Sequence, residues 1–286
     1  MTEPSLVDEA RLASASHVFA AGLYRGKTVL VSGGGSGIGL SIAWLLGRLG
    51  ARVVICGRSE ERLATAAAGL RAKGLDILAV AGDIRDESAV EVVHDAARKR
   101  FGPVDLLVNN AGGQYPQAAM DIAAKGWRAV VETNLTGSWL MAQAAARRWC
   151  EAGRGGAIVN IVSSCDRGMP GIIHSSAARA GVINFSRTAA VEWAPLGIRI
   201  NCVAPGVIAT RGLEVYPDEA RRAFSDANPQ RRLGDPWEVA QAVAFLGSDA
   251  ASFITGATLN IDGGGALSGE LWTHQPSPYL EHGEAA

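Results

Sequence analysis

The run Ser32-Gly33-Gly34-Gly35-Ser36-Gly37-Ile38-Gly39 puts five glycines into eight residues, directly after a β-branched stretch and directly before an apolar one. Chain without Cβ atoms turns tightly and lets backbone N–H groups approach a pyrophosphate, whose charge the positive end of the following helix also meets. Gly33, Gly35, Ser36, Gly37 and Ile38 are therefore candidate ligand contacts. A site of this kind built for NAD carries an acid at the end of the next strand to bond the ribose hydroxyls. Here that place holds Gly57, followed by Arg58. A guanidinium pairs with a 2′-phosphate through two charge-assisted bonds, where a carboxylate would repel it. The pattern predicts NADP(H) as the cofactor, with Arg58 as the residue that selects it.

Metal chemistry has no footing in the sequence. Cys56, Cys150, Cys165 and Cys202 lie far apart without Cys-x-x-Cys spacing, and the five histidines form no His-x-x-x-His pair. Neither a structural metal nor a disulfide framework is expected, which fits a reducing, cytoplasmic location.

Elements must position these groups, and the chain alternates short β-branched runs with amphipathic stretches, the pattern of βαβ units feeding a parallel sheet. Strands are expected over Thr28–Val31, Arg52–Cys56, Ile77–Ala81, Leu106–Asn109, Ala157–Val162, Arg199–Val203 and Thr258–Ile261. Their near-continuous apolar character suits strands covered by helices on both faces. Helices are expected over Ile38–Leu49, Glu60–Lys73, Glu87–Arg100, Trp127–Arg148, Ser175–Trp193 and Pro236–Leu246. The fold class is thus α/β, one doubly wound domain with a seven-stranded parallel sheet over 27–265. An N-terminal extension (1–26) and a C-terminal tail (266–286, with Pro276 and Pro278) flank it. The segment Val207–Arg232, with Pro217, Asp218 and Pro229 among many charges, breaks the rhythm and is read either as a substrate lid, since it follows a strand's carboxyl end, or as a plain surface excursion.

A chain of 286 residues, 48% hydrophobic and 19% charged, buries one sizeable core. The net charge of -1 lacks the basic footprint of a nucleic-acid binder. Met1–Ala21 mixes acids with small residues and has no apolar leader segment, and no stretch approaches the roughly 20 apolar residues that span a bilayer. Neither nucleic acid nor membrane is an expected partner.

With Asn109-Asn110-Ala111-Gly112 after the fourth strand, these residues resemble the short-chain dehydrogenase/reductase family over Lys27–Gly264. The resemblance implies that Asp83 and Ile84 touch adenine, that Asn110, Ala111 and Gly112 line the cofactor, and that Asn134 holds a proton-relay water. Pro205, Gly206 and Ile208 resemble the loop that closes on the nicotinamide, and Ile261-Asp262-Gly263-Gly264 the end of the last strand. Members of the family are commonly tetramers, so a homotetramer is expected.

The catalytic stretch departs from the family pattern of a serine followed by Tyr-x-x-x-Lys. In His174-Ser175-Ser176-Ala177-Ala178-Arg179, Ser175 stands for the tyrosine and Arg179 for the lysine. A phenol, with reference pKa about 10, is tuned toward neutrality by a nearby cation, whereas an aliphatic hydroxyl is not. Arg179 keeps its charge and cannot relay a proton. Reduction of an α,β-unsaturated thioester survives this loss, because charge collects on an enolate oxygen that preorganised donors stabilise. The runs Asn109–Tyr115, Lys125–Trp127, Glu132–Gly137 and His174–Val182 are similar to peroxisomal-type trans-2-enoyl-CoA reductases, NADPH-dependent members of the family, in the branch of the 2,4-dienoyl-CoA reductases, whose upstream donor tyrosine has its place near Ser164 here; the Gly283–Ala286 end is not a peroxisomal address of the Ser-Lys-Leu type.

The expected substrate is an acyl-CoA or acyl-carrier thioester. The expected catalytic set is Ser164 and Ser175 as hydroxyl donors, Arg179 as ribose anchor and electrostatic stabiliser, and Asn134 as holder of a water. Ser163 competes with Ser164, Tyr115 is an outside candidate for proton donor, and His174 is read as a packing or hydrogen-bonding residue. Two alternatives stand beside the enoyl reductase: a ketone or alcohol oxidoreductase with a remodelled proton donor, and a non-catalytic NADPH-binding protein.

Overall fold

The structure, a computed structural model, describes residues 8–164 and 167–267. Cys165 and most of the C-terminal tail, with Pro276 and Pro278, lie outside the described residues, as does Met1–Val7. In chain order the principal elements are α1 (Glu9–Ser14), β1 (Thr28–Ser32), α2 (Gly37–Arg48), β2 (Arg52–Gly57), α3 (Glu60–Ala72), β3 (Ile77–Ala81), α4 (Glu87–Phe101), β4 (Leu106–Asn109), α5 (Ala124–Val131), α6 (Gly137–Glu151), β5 (Gly156–Ile161), α7 (Ile173–Trp193), β6 (Ile198–Pro205), α8 (Asp218–Ala223), α9 (Pro236–Gly247) and β7 (Thr258–Ile261).

The strands form one sheet in the order β3-β2-β1-β4-β5-β6-β7, parallel at every pairing. β1 shows why its residues are apolar throughout. Val29 and Val31 face a core shared with α2 and α9, whereas Leu30, on the opposite side, packs into the core shared with α4 and α6. Alternate side chains of a strand point to opposite faces, and here each face carries a helical layer. Trp44, Leu45 and Leu46 of α2 are at most 1% exposed, which fixes the helix that begins at the glycine run.

One expectation needs amendment. The helix expected as one piece over Trp127–Arg148 begins earlier, at Ala124, ends later, at Glu151, and is interrupted by a π-helical turn over Glu132–Thr136. Thr133 donates its hydroxyl back to the Ala129 carbonyl at 2.8 Å, a local competition with the regular ladder. Such turns recur at functional sites, and this one carries Asn134. At the N-terminus the described part of the extension is docked. Leu12 is buried, Arg48 donates to the carbonyls of Leu12 and Ala15, Trp237 donates to that of Ser16, and Tyr24 donates to Ala244 at 2.7 Å.

Val207–Arg232 contains two 3₁₀ turns, Arg211–Val215 and Phe224–Ala227, around the short α8, and a parallel bridge between Ile208 and Gly234 closes its base. Among the described residues no helix is long and apolar enough to cross a membrane, and no group of three or more potential metal ligands is found.

Candidate active site

The glycine run leaves the carboxyl end of β1 and enters α2, whose N-cap Ser36 has extended backbone and makes no side-chain cap. Gly33 has φ of 66°, a left-handed conformation that favours glycine. A Cβ on Gly39 would lie 2.3 Å from the Gly33 carbonyl oxygen and 2.4 Å from Asn110 Nδ2. The turn is thus pressed against its own helix with no room for a side chain, the cradle that a pyrophosphate requires. Asn110 donates its amide hydrogens to the Ser32 and Gly33 carbonyls at 3.1 and 3.2 Å, while Ser32 Oγ accepts the N–H groups of Asn110 and Ala111. Asn110 therefore ties the β4 loop to the β1 turn. From the segment Val207–Arg232, Thr210 rests on Gly37, its methyl 3.5 Å from where a Cβ there would sit.

At the neighbouring strand ends, Arg58 follows β2, and Arg62 of α3 lies against Gly35. Asp83 is clasped by Arg85, which donates to both carboxylate oxygens; those bonds, with Arg58 also contributing, hold its carboxyl below the usual carboxylate range. Arg85 and Arg58 thus hold Asp83 as the carboxylate. Ile84 turns its side chain into the core against Gly137, which leaves only its backbone to meet a ligand.

The catalytic candidates meet at the start of α7. Asn134, fully buried on the π turn, accepts the Gly113 N–H at 2.9 Å and donates to the Gly113 carbonyl and to Ser175 Oγ, the latter at 3.2 Å. Ser175 is 1% exposed and donates its own hydrogen to Gln114 Oε1 at 2.7 Å. Arg179, one helical turn on, donates to the Ile161 carbonyl at 2.6 Å and reaches Gly112, where a Cβ would come within 2.1 Å of its Nη2. Behind them a buried polar ladder fixes the π turn: Ser138 donates to the Asn134 carbonyl, Asn109 to the Ser138 carbonyl and to Asn160, and Asn160 to Ser186.

Ser164, expected as a second hydroxyl donor, has a partner at the far end of the sheet. Its hydroxyl donates to Asp262 Oδ2 at 3.0 Å, at the end of β7. Ser163 faces Met169, its Oγ 3.8 Å from the sulfur. Tyr115 packs edge-on to His174, ring centroids 4.7 Å apart, with its hydroxyl resting on Gly126 of α5. His174 accepts the Ser175 N–H through Nδ1 at 2.8 Å, a hydrogen-bonding role at the helix start. The loop of Pro205, Gly206 and Ile208 is pinned by the Gly206 N–H to the Ile261 carbonyl. Sequence reasoning missed Gln114 and Tyr216: Gln114 Nε2 donates to Tyr216 Oη at 2.5 Å, reaching from the β4 loop to the segment Val207–Arg232. Nothing in spacing brings residues 114 and 216 together.

A parallel doubly wound sheet with a glycine cradle at its first strand, and an amide–hydroxyl–guanidinium cluster beside it, defines a nicotinamide-dependent oxidoreductase. The chain belongs to the short-chain dehydrogenase/reductase family, and residues 33–265 match the family model described as enoyl-(acyl carrier protein) reductase. It is 37% identical over 243 residues to a probable 2,4-dienoyl-CoA reductase of Bacillus subtilis (strain 168), covering 83% of this chain and 96% of that protein. It is 44% identical over 242 residues to the cis-4-hydroxycyclohexanecarboxylate dehydrogenase of Sinomonas cyclohexanicum, with the same coverage of each. Among solved structures, the citronellol catabolism dehydrogenase of Pseudomonas aeruginosa PAO1 superposes with a TM-score of 0.78 at 42% identity, covering 87% of this chain and 98% of that one.

Proposed function

We propose that this oxidoreductase reduces the 2,3 double bond of an enoyl thioester, borne by CoA or an acyl carrier, with NADPH. The observation that carries the reading is the pair of buried Ser175 and half-buried Arg179 at the α7 start, where the family pattern has tyrosine and lysine. A serine saturated by Asn134 and Gln114 has no tunable proton to give a ketone, yet it belongs to a polar environment suited to a developing enolate. When bound, the dihydronicotinamide supplies the hydride. Gly33 to Ile38 would hold its pyrophosphate, Arg58 with Arg62 its 2′-phosphate, and Arg179 its ribose; Ala111, Gly112 and the Pro205–Ile208 loop would line it. Asn134 orders the water that protonates the α-carbon, and Arg179 offsets the charge on the oxygen. Ser164 and Ser175 would have to exchange Asp262 and Gln114 for the acyl oxygen to act as its hydroxyl donors.

The relatives named as dienoyl-CoA reductases support the thioester class. A second reading, oxidation or reduction of an alcohol or ketone, is favoured by the 44% identity to a hydroxycyclohexanecarboxylate dehydrogenase. One scan separates them: NADPH absorbance followed with crotonyl-CoA and longer enoyl-CoA, acetoacetyl-CoA and simple ketones, and the reverse reaction with alcohols and NADP⁺. Efficient turnover of ketones or alcohols with enoyl-CoA untouched would overturn the first reading.

A further inference from the structure

We infer that Tyr216, carried on the lid segment, is the phenolic hydrogen-bond donor to the substrate's acyl oxygen that α7 itself lacks. The inference rests on the enoyl-thioester reading for the identity of that oxygen.

The argument begins with where the hydroxyl hydrogens go. A continuous chain runs from Asn134 Nδ2 to Ser175 Oγ (3.2 Å), from Ser175 Oγ to Gln114 Oε1 (2.7 Å), and from Gln114 Nε2 to Tyr216 Oη (2.5 Å). Each link has a defined sense, because an amide nitrogen only donates and an amide oxygen only accepts. Ser175 therefore spends its single hydrogen on Gln114, and Ser164 spends its own on Asp262. Tyr216 receives from Gln114, and no acceptor among the described residues takes its O–H. The chain thus ends in a phenol with a hydrogen still to give, at the edge of the cluster that holds Asn134, Ser175 and Arg179.

Two further observations favour a fixed donor over a stray surface tyrosine. The Tyr216 ring stands edge-on to Phe224, centroids 5.2 Å apart at 85°, so its direction is set from both ends. Burial pushes the phenol above its ordinary pKa, with the Gln114 bond opposing, which keeps it protonated through the neutral range. That is the useful state for the chemistry. Reduction delivers a hydrogen with two electrons to the β-carbon, the C2–C3 π pair shifts to join C2 to the carbonyl carbon, and the displaced carbonyl pair becomes charge on oxygen. Water then protonates C2, and the net change consumes one NADPH and one proton. A donor to that oxygen keeps its own hydrogen throughout, and one preorganised donor of this kind is worth about 10²- to 10³-fold in kcat. Gln114 acts through Tyr216 and Ser175 as a positioning residue.

The full-length protein with NADPH and crotonyl-CoA provides the test. Tyr216→Phe should lower kcat by about 10²-fold while KM and the NADPH dissociation constant stay near wild type. Gln114→Glu gives a second reading: a carboxylate accepts from both neighbours and draws the phenolic hydrogen away from substrate, so kcat should fall with the fold and NADPH binding intact. A readout without cofactor is the ultraviolet difference spectrum of acetoacetyl-CoA on the protein. Its bound enolate should be enriched by wild type and reduced in Tyr216→Phe. Wild-type kcat together with a wild-type enolate spectrum in Tyr216→Phe would overturn the inference. If wild type itself leaves crotonyl-CoA untouched, the thioester reading has failed instead. Tyr216→Phe is then measured on the ketone or alcohol that wild type does turn over, where undiminished turnover removes Tyr216 as a donor and a comparable loss retains it.

Discussion

At the position where the family pattern has a tyrosine, Ser175 is locked between two side-chain amides, and the cation one turn further on is a guanidinium clamped to a backbone carbonyl. Replacing Arg179 by Ala removes a cation seated on Gly112 and leaves the Ile161 carbonyl unpaired. We expect kcat/KM to fall by about 10²-fold and NADPH binding to weaken as well, read by turnover and by fluorescence titration. Ser175→Ala removes one link from a network, and a neutral hydrogen bond is worth about 0.5–1.5 kcal/mol, so a loss of about tenfold or less is expected in kcat. Arg58 governs cofactor choice through a different interaction. With Asp83 already clasped by Arg85, Arg58→Ala should weaken NADPH by at least about tenfold and leave NADH unchanged. Equal losses for both dinucleotides would remove Arg58 from the phosphate site.

Elements matter here through close approaches more than through propensity. The turn between β1 and α2 meets the β4 loop with almost no clearance, because Gly39 faces the Gly33 carbonyl and Asn110 at under 2.5 Å from a hypothetical Cβ. Gly39→Ala should cost about 1–3 kcal/mol in urea unfolding, through overpacking against backbone, and should weaken NADPH binding more than tenfold. Gly168→Ala, where a Cβ meets nothing within 4 Å, is the matched control and should do neither. The lid segment makes a further prediction at this scale. If Val207–Arg232 closes on substrate, limited proteolysis should cut it in the apo protein and spare it when NADPH and an acyl-CoA are both present. Unchanged cleavage would leave it a fixed wall that carries Thr210 and Tyr216.

Taken as a whole, the molecule stores acid sensitivity in its core. His94 of α4 is 1% exposed with Nε2 unpartnered, and burial, reinforced by the nearby Arg148 cation, lowers its pKa from 6.5 to about 4; Glu91 and Asp95 oppose the shift. The folded state therefore prefers the neutral ring, and the unfolded chain binds the proton first as pH falls. Stability is intact above about 6.5 and is lost as pH drops from there toward 4, by an amount on the order of 3 kcal/mol for this one group. Comparison of wild type and His94→Leu by urea unfolding at pH 7 and pH 5 should show a shallower acid loss in the variant. Equal losses would assign the acid sensitivity to other groups.

The alternation of apolar runs and amphipathic stretches determined the seven strands to within a residue or two for most, and the glycine run determined where a pyrophosphate would lie. Both are local: strand and helix periodicity, and the absence of Cβ atoms, are written in consecutive residues. The Ser175 and Arg179 substitutions were equally legible, because a fixed spacing on one helix places them. Other features depended on chain segments far apart in sequence. Ser164 turned to Asp262, 98 residues away, and Gln114 joined Ser175 to Tyr216 across 61 and 102 residues. The π turn that aims Asn134 at Ser175 was read from sequence as plain helix, since its widened geometry is fixed by the buried ladder of Ser138, Asn109 and Asn160 beneath it. A hydroxyl's identity is given by its codon, but the direction of its hydrogen is set by whichever acceptor the completed sheet brings within 3 Å, and that only the tertiary structure decides.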